Sequence, residues 1–458
     1  MKGIVIGGLI CATAGLVPWL SQERAGQNPG QGQPRNPPAP VFRVEVPSSA
    51  LDVIVGAPTS TSVILSLRSK AESSATLKIK DSTGKEVPSP KFALVANKPL
   101  EVPIVGLRPG EVYTFDLQQG QERVTGRFVT ARPRGQEFTF AIQADSHLDE
   151  NTDLSVYERT LANIVRDKPD FLVDLGDTFM VDKYPRYTDA LKQYEAQRYW
   201  FSRFGSQMSV FLCLGNHDGE VGWPARGGGD MAGWSRTQRE TYFPVIRENS
   251  FYSGAPKKGL WYAYNWGDAT IIVLDPFVAT TRKTRDDEDG WNWTLGKTQF
   301  DWFEKTLKES KSKFKFVFIH HLVGGFGGAE ARGGVEAADR FEWGDHEDFP
   351  IQREGWAEPI HALMVKYGVT ALFHGHDHLY VRQEKDGILY LEVPQPGHPR
   401  ENATGSAERY GYKSGVLLGS SGHIRVSVNE ERAKLEYVKS RSGEANGEVV
   451  DSVELKPR

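Results

Sequence analysis

Five apolar runs along the chain each stop on a polar cluster able to bind a ligand. Phe138 to Ala144 ends in Asp145-Ser146-His147, and Phe171 to Leu175 in Gly176-Asp177. Ser209 to Cys213 ends in Leu214-Gly215-Asn216-His217-Asp218, Phe314 to Ile319 in His320-His321, and Val369 to Phe373 in His374-Gly375-His376-Asp377-His378. Short, continuous apolar runs of this kind read as strands buried on both faces. Between them, apolar residues recur at helical spacing over Leu154 to Arg166, Thr188 to Phe204, Leu295 to Leu307 and Pro359 to Tyr367. The alternation is the βαβ arrangement of an α/β fold, in which ligands bind outside the carboxyl ends of the strands. The five clusters are therefore expected to converge. Later β-type runs, Ile388 to Val393, His423 to Val428 and Ala433 to Val438, are expected to close a second sheet, giving two packed sheets flanked by helices.

The pattern changes upstream. Val41 to about Pro133 carries short alternating runs (Val41 to Val46, Ser62 to Leu67, Ala75 to Ile79) broken by Gly, Pro and Asp-Ser turns, which argues a β-sandwich. Gly26 to Pro40 is rich in Gly, Pro and Gln without hydrophobic periodicity and reads as a disordered linker. Met1-Lys2 followed by the apolar stretch Gly3 to Val17 reads as a signal peptide within residues 1–25, with Ala12-Thr13-Ala14 or Ala25 as cleavage sites. The expectation is a secreted or periplasmic protein with no membrane span in the mature chain; an uncleaved N-terminal anchor is the alternative.

Composition narrows the chemistry. A net charge of -4 over 458 residues gives no basic footprint, so bulk nucleic-acid binding is not expected, although a short nucleotide substrate stays open. Once the signal is removed, Cys213 is the single thiol, and within its apolar run it reads as a small buried hydrophobe. All 11 histidines fall at or after His147, which assigns the chemistry to the C-terminal part.

Two cations held about 3.5 to 4 Å apart clamp the attacking and leaving oxygens of a phosphoryl displacement. Carboxylates and imidazoles without a free thiolate suit two divalent ions such as Mn, Fe, Zn or Co. The ordered series Asp145-x-His147, Gly176-Asp177, Gly215-Asn216-His217-Asp218, Val317-x-x-His320 and Gly375-His376-x-His378 resembles the calcineurin-like metallophosphoesterase superfamily over about residues 137 to 440. That resemblance implies a four-layer α/β/β/α sandwich over 137–458. It implies that Asp145, His147 and His378 hold one metal, that Asp177 bridges, and that Asn216, His320 and His376 hold the second. His217 would contact the phosphate or protonate the leaving group, with Asp218 orienting its ring.

Within 41–133, Leu107-Arg108-Pro109-Gly110 before the strand bearing Tyr113 resembles the fibronectin type III signature. Together with Gly375-His376-Asp377-His378-Leu379-Tyr380, this makes the chain similar to purple acid phosphatases. Two positions depart from that pattern: His147 stands where a glycine is expected, and Met180 where the tyrosine ligand is expected. The departure implies a divalent pair and a colourless or weakly coloured protein.

His320 and His321 face opposite ways along a strand, and the resemblance favours His320 as ligand although Leu322 is often proline in relatives. His374 reads as a core histidine or a support behind a ligand rather than as a ligand itself, and His346, His361, His398 and His423 carry no motif. Long excursions span Gly219 to Ser253, Asp275 to Gly296 and Leu322 to Glu354, and loops of that length are usually functional. The last holds Gly324 to Gly328 with Arg332 and Arg353, either a bidentate phosphate grip or solvated loop arginines. Trp223, Trp234, Tyr242, Phe243, Trp291, Trp293, Trp343 and Trp356 either wall a leaving-group pocket or, for most of them, pack the excursions down. The acidic turn Asp286 to Gly290 reads as solvated rather than as a calcium site.

The expected function is an exported dinuclear-metal phosphatase that hydrolyses small phosphate monoesters by direct attack of water or hydroxide held by the metals. A phosphodiesterase or nucleotide pyrophosphatase on the same centre is the alternative, because the motifs define only what these enzymes share. A non-catalytic adhesion or binding protein is a further reading, weakened because no metal position is lost.

Overall fold

The computed structural model describes residues 45–149, 151–184, 186–224, 229–283, 290–322 and 332–458. The segments expected as signal and linker, the glycine run Gly324 to Gly328 and most of the acidic turn lie outside them.

Two large sheets carry the fold. In the first, of nine strands, Val449–Leu455, Ala433–Lys439, Gly422–Val428, Phe138–Gln143, Phe171–Asp174, Ser209–Leu212, Leu51–Gly56, Ser62–Ser69 and Leu100–Val105 follow one another in space. In the second, of eight, the order is Ser253–Gly254, Tyr262–Trp266, Ala269–Val273, Phe314–Phe318, Ala371–His374, Ile388–Glu392, Leu379–Lys385 and Val416–Gly419. The predicted ligand-bearing strands sit centrally, pair in parallel and are buried on both faces, which is why they read as unbroken apolar runs. The sheets meet through aromatic side chains: the Phe140 ring lies 5.7 Å from Phe316 and 6.2 Å from Phe318.

Helices cover the outer faces, completing the expected four layers. Leu154–Asp167 starts where the Asp153 carboxylate caps the amides of Ser155 and Val156, and it buries Tyr157, Leu161 and Ile164. Tyr187–Gly205, Lys297–Glu309 and Ile360–Lys366 fall where helical spacing placed them. Among the described residues, no helix is long and apolar enough to cross a membrane.

The N-terminal region is all-β. A second, four-stranded sheet, Glu86–Val87, Thr76–Lys80, Val112–Gln119 and Glu122–Val129, closes over a core that includes Leu51, Val53, Val55, Leu65, Leu77, Phe115 and Phe128. Its other sheet is not free. Strand Leu51–Gly56 pairs in parallel with Ser209–Leu212, Val55 opposite Ser209 and Gly56 opposite Val210, so the nine-stranded sheet continues into the N-terminal region with no open edge at this border.

A buried cation fastens the same seam. Arg198, on helix Tyr187–Gly205 and fully buried, donates from Nε to Asp52 Oδ1 at 2.8 Å, from Nη1 to Ser66 Oγ at 2.9 Å and from Nη2 to the Ser66 carbonyl at 3.0 Å. Removing one partner of a buried pair leaves the other charge uncompensated, a cost of about 3 to 5 kcal/mol. Asp52→Ala is therefore expected to lose that much stability in urea denaturation; a loss below about 1 kcal/mol would show the pair to be energetically idle.

Candidate metal centre

The parallel strands end at one edge, and the loops that leave them hold four ligand candidates in left-handed backbone: Asp145 (φ 56°), Asp177 (φ 53°), His376 (φ 85°) and His378 (φ 57°). Non-glycine residues hold such angles only when their surroundings enforce them. Asp218 supplies much of that enforcement. Its buried carboxylate accepts the amides of Gly215 at 2.7 Å, Asp177 at 3.0 Å, Thr178 at 2.8 Å and Phe179 at 2.8 Å, stapling two loops together. Gly215 is required by the closeness of that join, since a Cβ there would lie 2.3 Å from Asp177 Oδ1. On the other side Asp145 Oδ2 accepts the His376 amide at 2.8 Å.

Two groups of side chains result, Asp145 with His147 and His378, and Asp177 with His320 and His376, the ligand atoms of each lying within 4.8 Å of one another. His147 Nε2 is 3.1 Å from His378 Nε2, and His320 Nε2 is 3.1 Å from Asp177 Oδ2 and 3.3 Å from His376 Nδ1. Asn216, nearly buried, follows Gly215 with its side-chain oxygen unpartnered among the described residues, as is Asp145 Oδ1.

Proton positions make these contacts informative. His320 Nδ1 lies 2.9 Å from the Leu175 carbonyl, which can only accept, so Nδ1 carries hydrogen and Nε2 is the ring atom that faces Asp177. A neutral ring would set its Nε2 lone pair against that carboxylate, so the contact calls for positive charge there, either a proton on Nε2 or a cation between the two atoms. Burial alone would lower the pKa of His320, yet Asp177, Asp145 and Asp218 raise it to about 9. The pocket is built for cations, and its all-oxygen-and-nitrogen donor set fits a pair of divalent ions.

Supporting contacts fix the rings. His147 Nδ1 lies 3.1 Å from Asp149 Oδ1, and Lys183 Nζ donates to Asp149 Oδ2 at 2.6 Å. His374 accepts the Gly334 amide on Nε2 at 3.2 Å, its Nδ1 stands 2.6 Å from Glu392 Oε2, and burial lowers its pKa to about 3. It is a core group, as expected. His321 packs edge-on against Phe277 and Trp293 at ring distances of 4.9 and 5.0 Å, behind His376.

Three expectations need correction. Asp218 does not orient His217, because its oxygens are taken by four loop amides. Asp182, on the short turn Val181–Lys183, does so instead, its Oδ1 2.7 Å from His217 Nδ1. Burial disfavours the charged His217 ring, but Asp177 and Asp182 outweigh it and raise its pKa. Arg332 is not a free phosphate grip: its Nε donates to Asp377 Oδ1 at 2.8 Å and its guanidinium stacks 3.8 Å above the Tyr410 ring. Arg353 is committed as well, to Glu342 at 2.9 Å and the Trp291 carbonyl at 2.6 Å, between the rings of Trp291 and Trp356.

The aromatic excursions mainly pack. Trp234 stacks on Tyr187 at 4.7 Å, Trp356 lies tilted against Phe300 at 4.2 Å, Trp223 meets Trp293 at 5.5 Å, and Trp343 donates to the Leu322 carbonyl at 3.0 Å. Tyr242, Phe243, Met180 and Cys213 are buried, His346 is exposed, and His361 and His423 bond Asp386 and Asp167 at 2.9 Å. His398, which carries no motif, lies with its ring 6.3 Å from that of His378.

Comparison with known proteins agrees with this geometry. Residues 138–380 match the calcineurin-like phosphoesterase family. Tartrate-resistant acid phosphatase type 5 of Mus musculus is 23% identical over 273 residues, covering 57% of this chain and 73% of the mouse protein. The Oryctolagus cuniculus protein of the same name is 22% identical over 275 residues, with the same coverage of 57% and 73%. Among solved structures, PhoD superposes with a TM-score of 0.63 over 89% of this chain and 90% of its own at 16% identity. Purple acid phosphatase PPD1 from Lupinus luteus seeds gives 0.57 over 88% and 74%, also at 16% identity.

Proposed function

Because the chain belongs to the calcineurin-like phosphoesterase family, and so is a metal-dependent phosphoric ester hydrolase, we propose that it is an exported phosphatase acting on small phosphate monoesters. The observation that carries this reading is the pair of facing ligand groups with a half-buried imidazole, His217, held beside them by Asp182.

Asp145, His147 and His378 would hold one ion and Asn216, His320 and His376 the other, with Asp177 shared. When bound, the ions neutralise the phosphoryl oxygens and supply an activated water at near-neutral pH. The protein does the rest. Asp182 fixes the Nδ1 side of His217, which leaves Nε2, 3.9 Å from Asp177 Oδ2, to donate to a phosphoryl or leaving oxygen. No side-chain nucleophile competes among the described groups nearby: Cys213 is buried and Thr178 Oγ1 is bound to Asp174 at 2.6 Å. Direct displacement is the expected course. Export rests on the N-terminal sequence pattern.

One observation favours a phosphodiesterase instead. Both candidate arginines are paired with buried carboxylates, Arg332 with Asp377 and Arg353 with Glu342, so neither offers an unpaired charge to a dianionic group. The deciding measurement is the ratio of hydrolysis rates for an aryl phosphate monoester and the matching diester, on protein loaded with Mn or Zn. A monoester preference supports the proposal, and a diester preference replaces it with the phosphodiesterase.

A further inference from the structure

The loop following strand Ile388–Glu392 leaves the second sheet at the same edge as the ligand loops, since His374 and Glu392 are paired neighbours on parallel strands. It is pinned before it reaches His398. The Gln395 amide donates to Ser420 Oγ at 3.1 Å, and that hydroxyl donates to the His378 carbonyl at 2.7 Å. The Pro396 carbonyl accepts Thr160 Oγ1 at 2.7 Å and the Gly397 carbonyl accepts the Asp153 amide at 2.8 Å. A Cβ at position 397 would lie 2.9 Å from Thr152 Cγ2, so glycine lets the loop press onto the start of helix Leu154–Asp167.

His398 is thus presented by a fixed backbone, half-buried, beside His378. The Arg400 amide donates to its Nδ1 at 3.0 Å. An N–H only donates, so Nδ1 is the acceptor and the neutral ring carries its hydrogen on Nε2. That donor has no partner among the described residues. His217 stands beside the Asp177 group, so the two imidazoles flank opposite halves of the centre.

We propose that His398 is a substrate-positioning residue, donating its Nε2 hydrogen to a phosphate oxygen on the Asp145–His147–His378 side. The inference rests on the phosphatase reading for its substrate class. A hydrogen bond to a charged group contributes enough that its loss should weaken phosphate binding about tenfold to hundredfold.

The test compares His398→Ala, His398→Gln and His398→Asn in metal-loaded protein. Its readouts are binding of inorganic phosphate by calorimetry, KM and kcat for an aryl phosphate, and metal content per chain. A glutamine amide nitrogen reaches the Nε2 position and an asparagine one does not. The expected result is a raised KM and weaker phosphate binding in Ala and Asn, substantial recovery in Gln, and full metal content in all three. Unchanged phosphate affinity in Ala overturns the proposal, and so does metal loss that parallels the loss of affinity, which would make His398 a support for His378. If wild-type protein turns over no phosphate ester, the functional reading fails by itself, and calorimetry still decides the role of His398.

Discussion

Asp177→Asn is expected to lower kcat by at least about a thousandfold and to reduce bound metal from two ions to one or fewer per chain. Loss of a group that merely supports a ligand typically costs 10- to 100-fold in metal affinity or activity, and Asp177 is one of only two carboxylates in the two ligand groups. The substitution separates charge from shape. Asparagine retains an oxygen to accept the His217 amide, now 2.8 Å from Asp177 Oδ1, and the backbone amide that bonds Asp218 is untouched. What disappears is the negative charge facing His320 Nε2 at 3.1 Å. Circular dichroism should therefore be unchanged while elemental analysis and turnover fall together. A variant that keeps two ions and full activity would remove Asp177 from the bridging position.

The second large effect belongs to His217. His217→Ala is expected to lower kcat about 100- to 1,000-fold, the range of a positioned proton donor, with both metals retained. Its Nδ1 is occupied by Asp182, and its Nε2 stands 3.9 Å from Asp177 Oδ2 where that of His320 stands at 3.1 Å. If the ring protonates the leaving oxygen, the loss should be larger for an alkyl phosphate than for an aryl phosphate, whose leaving group needs little help. Equal losses on both would assign the ring to a phosphoryl oxygen instead. Loss of metal in the Ala variant would contradict its place outside the ligand set.

The ligands were legible because each ends a strand buried on both faces, where an abrupt change from Phe and Val to Asp or His has few structural explanations. The helices between them were legible for the complementary reason: amphipathic spacing survives in sequence. Asp182 was not, because its partner is chosen by a single 3-10 turn that sets its angle to His217. Nor was the work of Asp218, whose four amide donors come from two loops. The arginines misled for a related reason. A loop arginine looks free until its acceptor is located in space, and those of Arg332 and Arg353, Asp377 and Glu342, are buried carboxylates. His398 was not legible, because the strand it follows pairs beside Ala371–His374, an order that its own neighbours Gly397 and Pro399 do not disclose.

The parallel pairing of Leu51–Gly56 with Ser209–Leu212 sets an order on how the chain is completed. The strand that joins first in sequence must wait for a partner made much later, and Asp52 waits on Arg198 in the same way. Contacts between such distant positions form slowly, because the loop they close is long. During that interval one border of the N-terminal sandwich is an open template for strand addition by another copy. Refolding at rising protein concentration should thus lose yield through association of early intermediates before any loss of the native state is detectable.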